Sequence, residues 1–232
     1  MVDGVKSKMN ISVIIRTHNE ERWIGHAIQS ILDLIKKPEI VIIDNNSIDA
    51  TLQIVRYFIQ DPLLQNESKS DNYTKIKIKK IQDYTPGKAL NLGVKNCSNK
   101  IIIVISAHCQ LKKIDLERHI KDLKKFVCIY GNQNPIFNGK RISKRYVWSN
   151  FSGIKRKNYF SKLENRYFMH NAISMFNKSY LIKNKFNENL QGKEDRYWIN
   201  QQVKRKKDFL YDPDLEVDHH YTANGNTWKG IG

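Results

Sequence analysis

The sequence predicts an α/β domain with a mostly parallel central sheet flanked by helices, followed by a loop-rich lobe. Three observations carry this expectation. Short β-branched apolar runs, Ile11–Ile15, Glu39–Ile43 and Ile101–Ile105, each end abruptly in polar residues, as buried parallel strands do. Between them lie segments whose apolar residues recur at three- and four-residue spacing, so strands alternate with helices in βαβ units. The polar strand ends carry hydroxyl, amide, carboxylate and imidazole groups at the edge where open α/β sheets bind ligands.

In the first unit the run ISVII gives way to Arg16-Thr17-His18-Asn19-Glu20, and Ile24, Ala27, Ile28, Ile31, Leu32 and Ile35 then mark one helix face. Pro38 closes that helix. EIVII follows as a second strand, ending in Asp44-Asn45-Asn46-Ser47. Asp49 is the expected cap of the next helix, whose apolar face is Ile54, Val55 and Phe58. After a polar insertion, Asp61 to Thr74, the alternation in Lys75–Ile81 predicts a strand near a sheet edge, one face in the core and one in water. Tyr84-Thr85-Pro86-Gly87-Lys88 then opens a helix.

The run Ile101 to Cys109, IIIVISAHC, predicts the central strand, with Ser106, Ala107, His108 and Cys109 at its end. A helix around Ile114–Lys125 and a strand over Phe126–Tyr130 follow. From Gly131 to about Asn165 periodicity fails, and the segment is basic and aromatic, with Asn-Gly and Ser-Gly turn signals. Its aromatic residues argue against plain disorder. Ala172–Phe176 reads as a short strand, Asp195–Lys206 as a helix, and Phe209–Pro213 and Val217–His220 as the return to the sheet before a tail through Thr227–Gly230.

The chain has 232 residues, enough for one domain with a substantial core. Residues 1–232 are expected to form that domain in two halves, about 11–130 and about 131–232. Three cysteines without Cys-x-x-Cys spacing argue against a disulfide framework and a zinc knuckle, and fit a reducing cytoplasm. No run approaches the roughly 18 apolar residues of a spanning helix, and the N-terminus has no apolar leader region. The formal net charge of +17 attracts nucleic acid, anionic lipid or phosphorylated substrates without choosing among them. No nucleic-acid-binding motif accompanies it, so no nucleic-acid partner is expected.

ISVIIRTHNE, EIVIIDNNSIDAT, GKALNLG, a strand ending in SAHC, and GKEDRYWINQQ occur in that order. Together they resemble family 2 glycosyltransferases of the GT-A fold, over about Ile11 to His220. YGNQNP, FNENLQGKED and YDPDLEVDHH are similar to the bacterial rhamnosyltransferase-like branch. The resemblance makes residues 11–130 the nucleotide-donor half and residues 131–232 the acceptor half. It implies that Thr17, Asn19 and Glu20 line the base and ribose, and that Asp44 accepts a hydrogen bond from one of them. A strand-end turn with an N-cap is the alternative for Asp44-Asn45-Asn46-Ser47. Lys88, at a helix start, would face a base or a diphosphate, or would be solvated.

Most relatives end the central strand in Asp-x-Asp, which holds a divalent ion on the donor diphosphate. Here Ser106, Ala107 and His108 stand in those places, so oxygen-only coordination is lost and imidazole favours Mn²⁺, Co²⁺ or Zn²⁺ over Mg²⁺. His108 and His219, with one carboxylate, would form such a site; direct neutralisation by His108, Lys88 and arginines is the competing reading. The resemblance makes Asp195 the base that deprotonates the acceptor hydroxyl, with Glu194 in support. Acidic residues at a helix start also simply complement its dipole. Trp198 would pack in the core rather than carry a sugar.

The activity implied is inverting transfer of a hexose or deoxyhexose from a nucleotide-sugar to a saccharide or lipid-linked saccharide in surface-glycan synthesis. A noncatalytic GT-A module binding nucleotide or glycan is the alternative. A cytoplasmic protein, peripheral at an anionic inner membrane face, fits the charge. The chain ends soon after VDHH, as a catalytic domain cut from a longer protein would.

Overall fold

The computed structural model describes residues 10–65 and 74–228. Its strands are β1 (Ile11–Thr17), β2 (Glu39–Asp44), β3 (Lys75–Lys80), β4 (Ile101–Ser106), β5 (Cys109–Lys113), β6 (Cys128–Phe137), β7 (Lys140–Arg141), β8 (Arg156–Lys157), β9 (Phe160–Ser161), β10 (Arg166–Tyr167), β11 (Ile173–Asn177) and β12 (Leu210–His220). The helices are α1 (Ile24–Leu34), α2 (Thr51–Gln60), α3 (Pro62–Gln65), α4 (Pro86–Asn96), α5 (Leu116–Asp122), α6 (Lys178–Lys183) and α7 (Glu194–Lys204). The central sheet runs β3-β2-β1-β4-β11-β6-β12-β5. The pairings β3–β2, β2–β1, β1–β4 and β6–β12 are parallel. Those of β4–β11, β11–β6 and β12–β5 are antiparallel, so the sheet is mostly parallel.

Alternation along the strands sorts side chains into two cores. Ile14, Val41, Ile43, Ile102 and Val104 pack with Leu90 and Val94 of α4 and Trp198 and Ile199 of α7. Val13, Ile15, Ile40, Ile42, Ile103 and Ile105 pack with Ile24, Ile28 and Ile31 of α1 and Val55 of α2. Helices therefore cover both faces, and Trp198 is a core residue whose indole N–H donates to Asn184 O. The alternating strand β3 lies at the sheet edge, as its pattern predicts.

Four local expectations change. The central strand stops at Ser106: Ala107 and His108 form a turn, and Cys109 begins β5 at the far sheet edge, where alternating Cys109-Gln110-Leu111-Lys112 buries one face only. β6 continues to Phe137 instead of ending at Tyr130, because β12 accompanies it and the amides of Asn132 and Asn134 meet Glu216 and Asp218. The two expected C-terminal pieces are one strand, β12, which slips register between Asp212 and Glu216. At that slip Leu215 O comes so close to Gly131 that an added Cβ would lie 2.0 Å from it, so only glycine fits. Helix α2 begins at Thr51 with Ala50 at its N-cap; Asp49, one residue earlier, accepts from the N–H groups of Thr51 and Glu21, each at 3.0 Å.

Residues 138–168 hold short elements anchored by buried Trp148, Phe151 and Phe168, with β9 and β10 as a small hairpin. Most of the polar insertion, residues 66–73, and Lys229-Gly230 of the tail lie outside the described residues. Among the described residues no helix is long and apolar enough to cross a membrane.

Candidate active site

A cavity of about 800 Å³ opens at the carboxyl ends of β1 and β4. Parallel pairing sets Arg16 beside Ser106, Thr17 ends β1 at the wall, and the turns that follow add His18, Glu20 and His108. The loop before β11 brings His170, Asn171 and Ala172. Gln191 to Arg196 bring the start of α7, and Tyr146, Val147 and Glu164 come from the small lobe. Two helix starts thus converge here. Thr85 caps α4, accepting from Lys88 N–H at 3.2 Å, with Pro86 in its first turn. Gly87 lets this start press on the loop before α7: an added Cβ would sit 2.1 Å from Asn187 O.

Helix α7 presents its two acids inward because Lys193 turns the chain through a left-handed conformation, φ 56°, immediately before them. Such a φ is strained for lysine, and its place on the cavity wall matches where proteins tolerate strain. Asp195 is held on several sides. Its Oδ2 accepts from Asn171 N–H at 3.0 Å and from Arg196 Nη1 at 2.9 Å, and Oδ1 accepts from Arg196 N–H at 2.8 Å. Burial opposes its ionisation, but Arg196, His170 and the Asn171 N–H outweigh it and hold Asp195 below the usual carboxylate range. A carboxylate offers about four lone-pair positions, so one remains for a hydroxyl.

Glu194 differs. Its Oε1 accepts from Arg16 Nη1 at 2.9 Å, yet burial, with Asp195 beside it, raises its pKa despite that cation. Arg196 also reaches Glu164 at 3.4 Å and lies 4.5 Å over the Phe168 ring, so it is fixed from three directions. The two neighbouring acids thus shift in opposite directions, and Asp195 is the one held as an anion.

A second cluster is made of histidines. His108 Nδ1 is 2.9 Å from Glu20 Oε1, His219 Nδ1 is 2.9 Å from Gln133 Oε1, and the two rings stand 4.8 Å apart. The Gln133 oxygen accepts from His219 Nδ1–H, which leaves the buried Nε2 lone pair without a partner. Burial, with His108 and His170 nearby, lowers the His219 pKa well below the ordinary value and keeps the ring neutral. His170 accepts from Ala172 N–H at Nδ1, and burial with Arg196 pushes its pKa down to about 3.

A carboxylate or amide on the far nitrogen is how ligating imidazoles are oriented, so His108 and His219 fit as a two-nitrogen pair for a divalent ion. No group of three His, Cys, Asp or Glu suited to a metal occurs among the described residues. The two histidines offer two nitrogen donors; Glu20 meets His108 through Oε1 and keeps its buried Oε2 without a partner.

Of the residues singled out in the sequence, Thr17, Glu20, Ser106, His108, Glu194 and Asp195 line the cavity. His219 is buried next to His108 without lining it. Asn19 lies in a left-handed turn whose Oδ1 accepts from Ile48 N–H. Asp44 is buried, with both oxygens 3.3 Å from Ser47 N–H, which is the strand-end turn. Ala107 is buried in the core, and Lys88 sits in the first turn of α4, off the cavity wall. The sequence reading missed Arg16, Glu164, His170, Asn171 and Arg196. A charged residue directly after the apolar run Ile11–Ile15 was a signal for Arg16; Glu164 and Asn171 gave none.

The sequence profile of Glycosyl transferase family 2 matches residues 12–184. The GalNAc(5)-diNAcBac-PP-undecaprenol β-1,3-glucosyltransferase of Campylobacter jejuni is 26% identical over 201 residues, 82% of this chain and 59% of that protein. This chain thus spans about three-fifths of that relative's length. Residues 1–349 of S. aureus TarS in complex with UDP-GlcNAc superpose with a TM-score of 0.69 at 17% identity, covering 96% of this chain and 61% of that one. GalNAc-T7 with UDP, GalNAc and Mn²⁺ gives a TM-score of 0.68 at 14% identity, covering 97% and 46%. These likenesses establish the fold as the GT-A type. By the profile match over most of its length, the chain belongs to glycosyl transferase family 2.

Proposed function

We propose that this chain is an inverting glycosyltransferase that moves a sugar from a nucleotide-activated donor to a hydroxyl of a saccharide or lipid-linked saccharide. The observation that carries this reading is Asp195: an anionic carboxylate on the cavity wall, fixed by Arg196 and Asn171 N–H, with one acceptor position open. Asp195 takes the acceptor proton, the acceptor oxygen bonds to the anomeric carbon, and the bond from that carbon to the diphosphate oxygen breaks. The single displacement inverts the centre. The nucleoside diphosphate leaves with the electron pair.

Glu194 works through Arg16, and the hydroxyls of Thr17 and Ser106 face the donor; Thr17 Oγ1 is buried without a partner and awaits one. His108 and His219 would hold a divalent ion. Such an ion supplies positive charge for the leaving diphosphate. The C. jejuni relative is named for glucose transfer to an undecaprenol-linked glycan, which supports a hexose donor and a lipid-linked acceptor. The resemblance of YGNQNP and YDPDLEVDHH to the rhamnosyltransferase-like branch supports a deoxyhexose instead. The net charge of +17 supports attachment to an anionic inner membrane face.

Thermal-shift titration with UDP, dTDP, GDP and CMP, each in EDTA, Mg²⁺ or Mn²⁺, tests the reading, because a ligand of the folded state raises its melting temperature. One nucleotide is expected to stand out. No shift with any of them contradicts the reading and favours a noncatalytic module.

A further inference from the structure

Arg16 has an open side. It is the penultimate residue of β1, where its neighbours in register are Ile43 and Ser106, and its side chain lies between the start of α4 and the start of α7. Nη1 alone is engaged, donating to Glu194 Oε1 at 2.9 Å and to Pro86 O at 3.5 Å. No acceptor among the described residues meets Nε or Nη2. These two atoms are also absent from the buried groups that lack partners, and the side chain keeps 17% exposure, so they face the cavity. Nε–H and Nη2–H form the side-on fork of a guanidinium, which matches two oxygens of one phosphate. Burial opposes its charge, yet Glu194 more than restores it, and Arg16 stays cationic.

The other cations of the wall are placed differently. Both Nη atoms of Arg196 are taken by Asp195 and Glu164, and its Nε is enclosed. Lys193 lies at the outer edge of the helix start. The wall also carries Glu20, Glu164, Glu194 and Asp195, more carboxylates than permanent cations, so an entering diphosphate needs a fixed donor pair.

We infer that the Nε–Nη2 edge of Arg16 binds the sugar-linked phosphate of the donor and stays on it as the nucleoside diphosphate leaves. The inference rests on the glycosyltransferase reading and adds a binding residue to it. The phosphate next to the anomeric carbon must lie within reach of the hydroxyl that Asp195 deprotonates. Arg16, tied to the residue preceding Asp195, is on that side of the cavity. Glu194 is the positioning residue that presents the fork.

The test compares wild type with Arg16→Gln, Arg16→Lys and Glu194→Gln by calorimetric titration of UDP, dTDP, GDP and the matching nucleosides, with geranyl diphosphate as a lipid diphosphate. Arg16→Gln is expected to lose about 10- to 100-fold in affinity for the preferred nucleoside diphosphate and less than twofold for its nucleoside, the loss of one charge-assisted pair. Arg16→Lys should recover part of the loss, since a point charge cannot fork, and Glu194→Gln should keep the preference for the diphosphate. If Arg16→Gln does not fold because Glu194 is left buried alone, the double variant Arg16→Gln/Glu194→Gln removes both charges and must show the same loss. Undiminished diphosphate affinity in the folded variants overturns the inference while leaving the glycosyltransferase reading intact. Loss confined to geranyl diphosphate overturns it too, by assigning the fork to the acceptor. A wild type that prefers no diphosphate over its nucleoside contradicts both.

Discussion

Asp195 Oδ2 and Arg196 Nη1, on consecutive residues, lie 2.9 Å apart, so this carboxylate carries its own counter-ion on the same turn of α7. The guanidinium is turned back by Glu164 and by the Phe168 ring. Its effect is to keep Asp195 an anion although the site is buried.

The pH dependence follows from the sign of that shift. A base with a depressed pKa is fully ionised at neutral pH and loses activity only as pH falls through the depressed value, below the ordinary carboxylate range. Arg196→Gln removes the main cause and moves the acid limb of kcat/KM to higher pH; Glu164→Gln, which only loosens Arg196, moves it less. Rate profiles of the three proteins between pH 3 and 8 check this, and an unmoved limb in Arg196→Gln counts against the pairing.

Histidine ionisation should leave no mark from two of the rings. His170, pushed down to about 3, and His219, held well below its ordinary value, remain neutral from about pH 5 upward. Imidazole NMR shifts of these two should stay flat between pH 5 and 8, and a transition near 6.5 in either contradicts the buried geometry.

The paired imidazoles give a metal test. His219→Ala and His108→Ala should each weaken Mn²⁺ binding by about 10-fold or more, with Gln133→Ala reducing it through loss of ring orientation. Mn²⁺ titration followed by electron paramagnetic resonance reads this directly. Equal binding in all four proteins removes the pair as ligands.

Far from the cavity, Asp212 is buried on β12 and meets Arg118 at 2.5 Å, Lys155 at 3.2 Å and buried His119 at 3.5 Å. Burial opposes its ionisation, but His119, Asp214 N–H, Arg118 and Lys155 hold its pKa far below the usual range. A depressed carboxylate contributes stability above its unfolded value, about 3.9, that is lost as pH falls through the folded one. Asp212→Asn should cost about 1–3 kcal/mol at pH 7, less than a fully enclosed pair because Arg118 and Lys155 are partly solvated. Urea unfolding at pH 7 and pH 3 checks it: the gap between the two proteins narrows at the lower pH.

Strands β1 to β4 and β11, the two helical faces and the edge position of β3 were legible because apolar periodicity encodes burial directly. Asp195 and Glu194 were reached through the motif resemblance, and the helix start they occupy is observed. What escaped was long-range. Arg16 is 178 residues from Glu194, and Asn171 and Glu164 approach Asp195 and Arg196 only because β11 and the β9–β10 hairpin fold beside α7. The split of IIIVISAHC into two strands was hidden for the same reason: β12, which receives Cys109, lies about a hundred residues downstream.

The most direct measurement is sugar transfer by wild type and Asp195→Asn, read by mass spectrometry of an undecaprenyl diphosphate-linked saccharide incubated with UDP-, dTDP- or GDP-sugars in Mn²⁺. The expected result is transfer from one nucleotide class with inversion, and about 10²- to 10⁴-fold slower turnover in Asp195→Asn with nucleotide affinity retained. Transfer at an unchanged rate in Asp195→Asn would contradict Asp195 as the base.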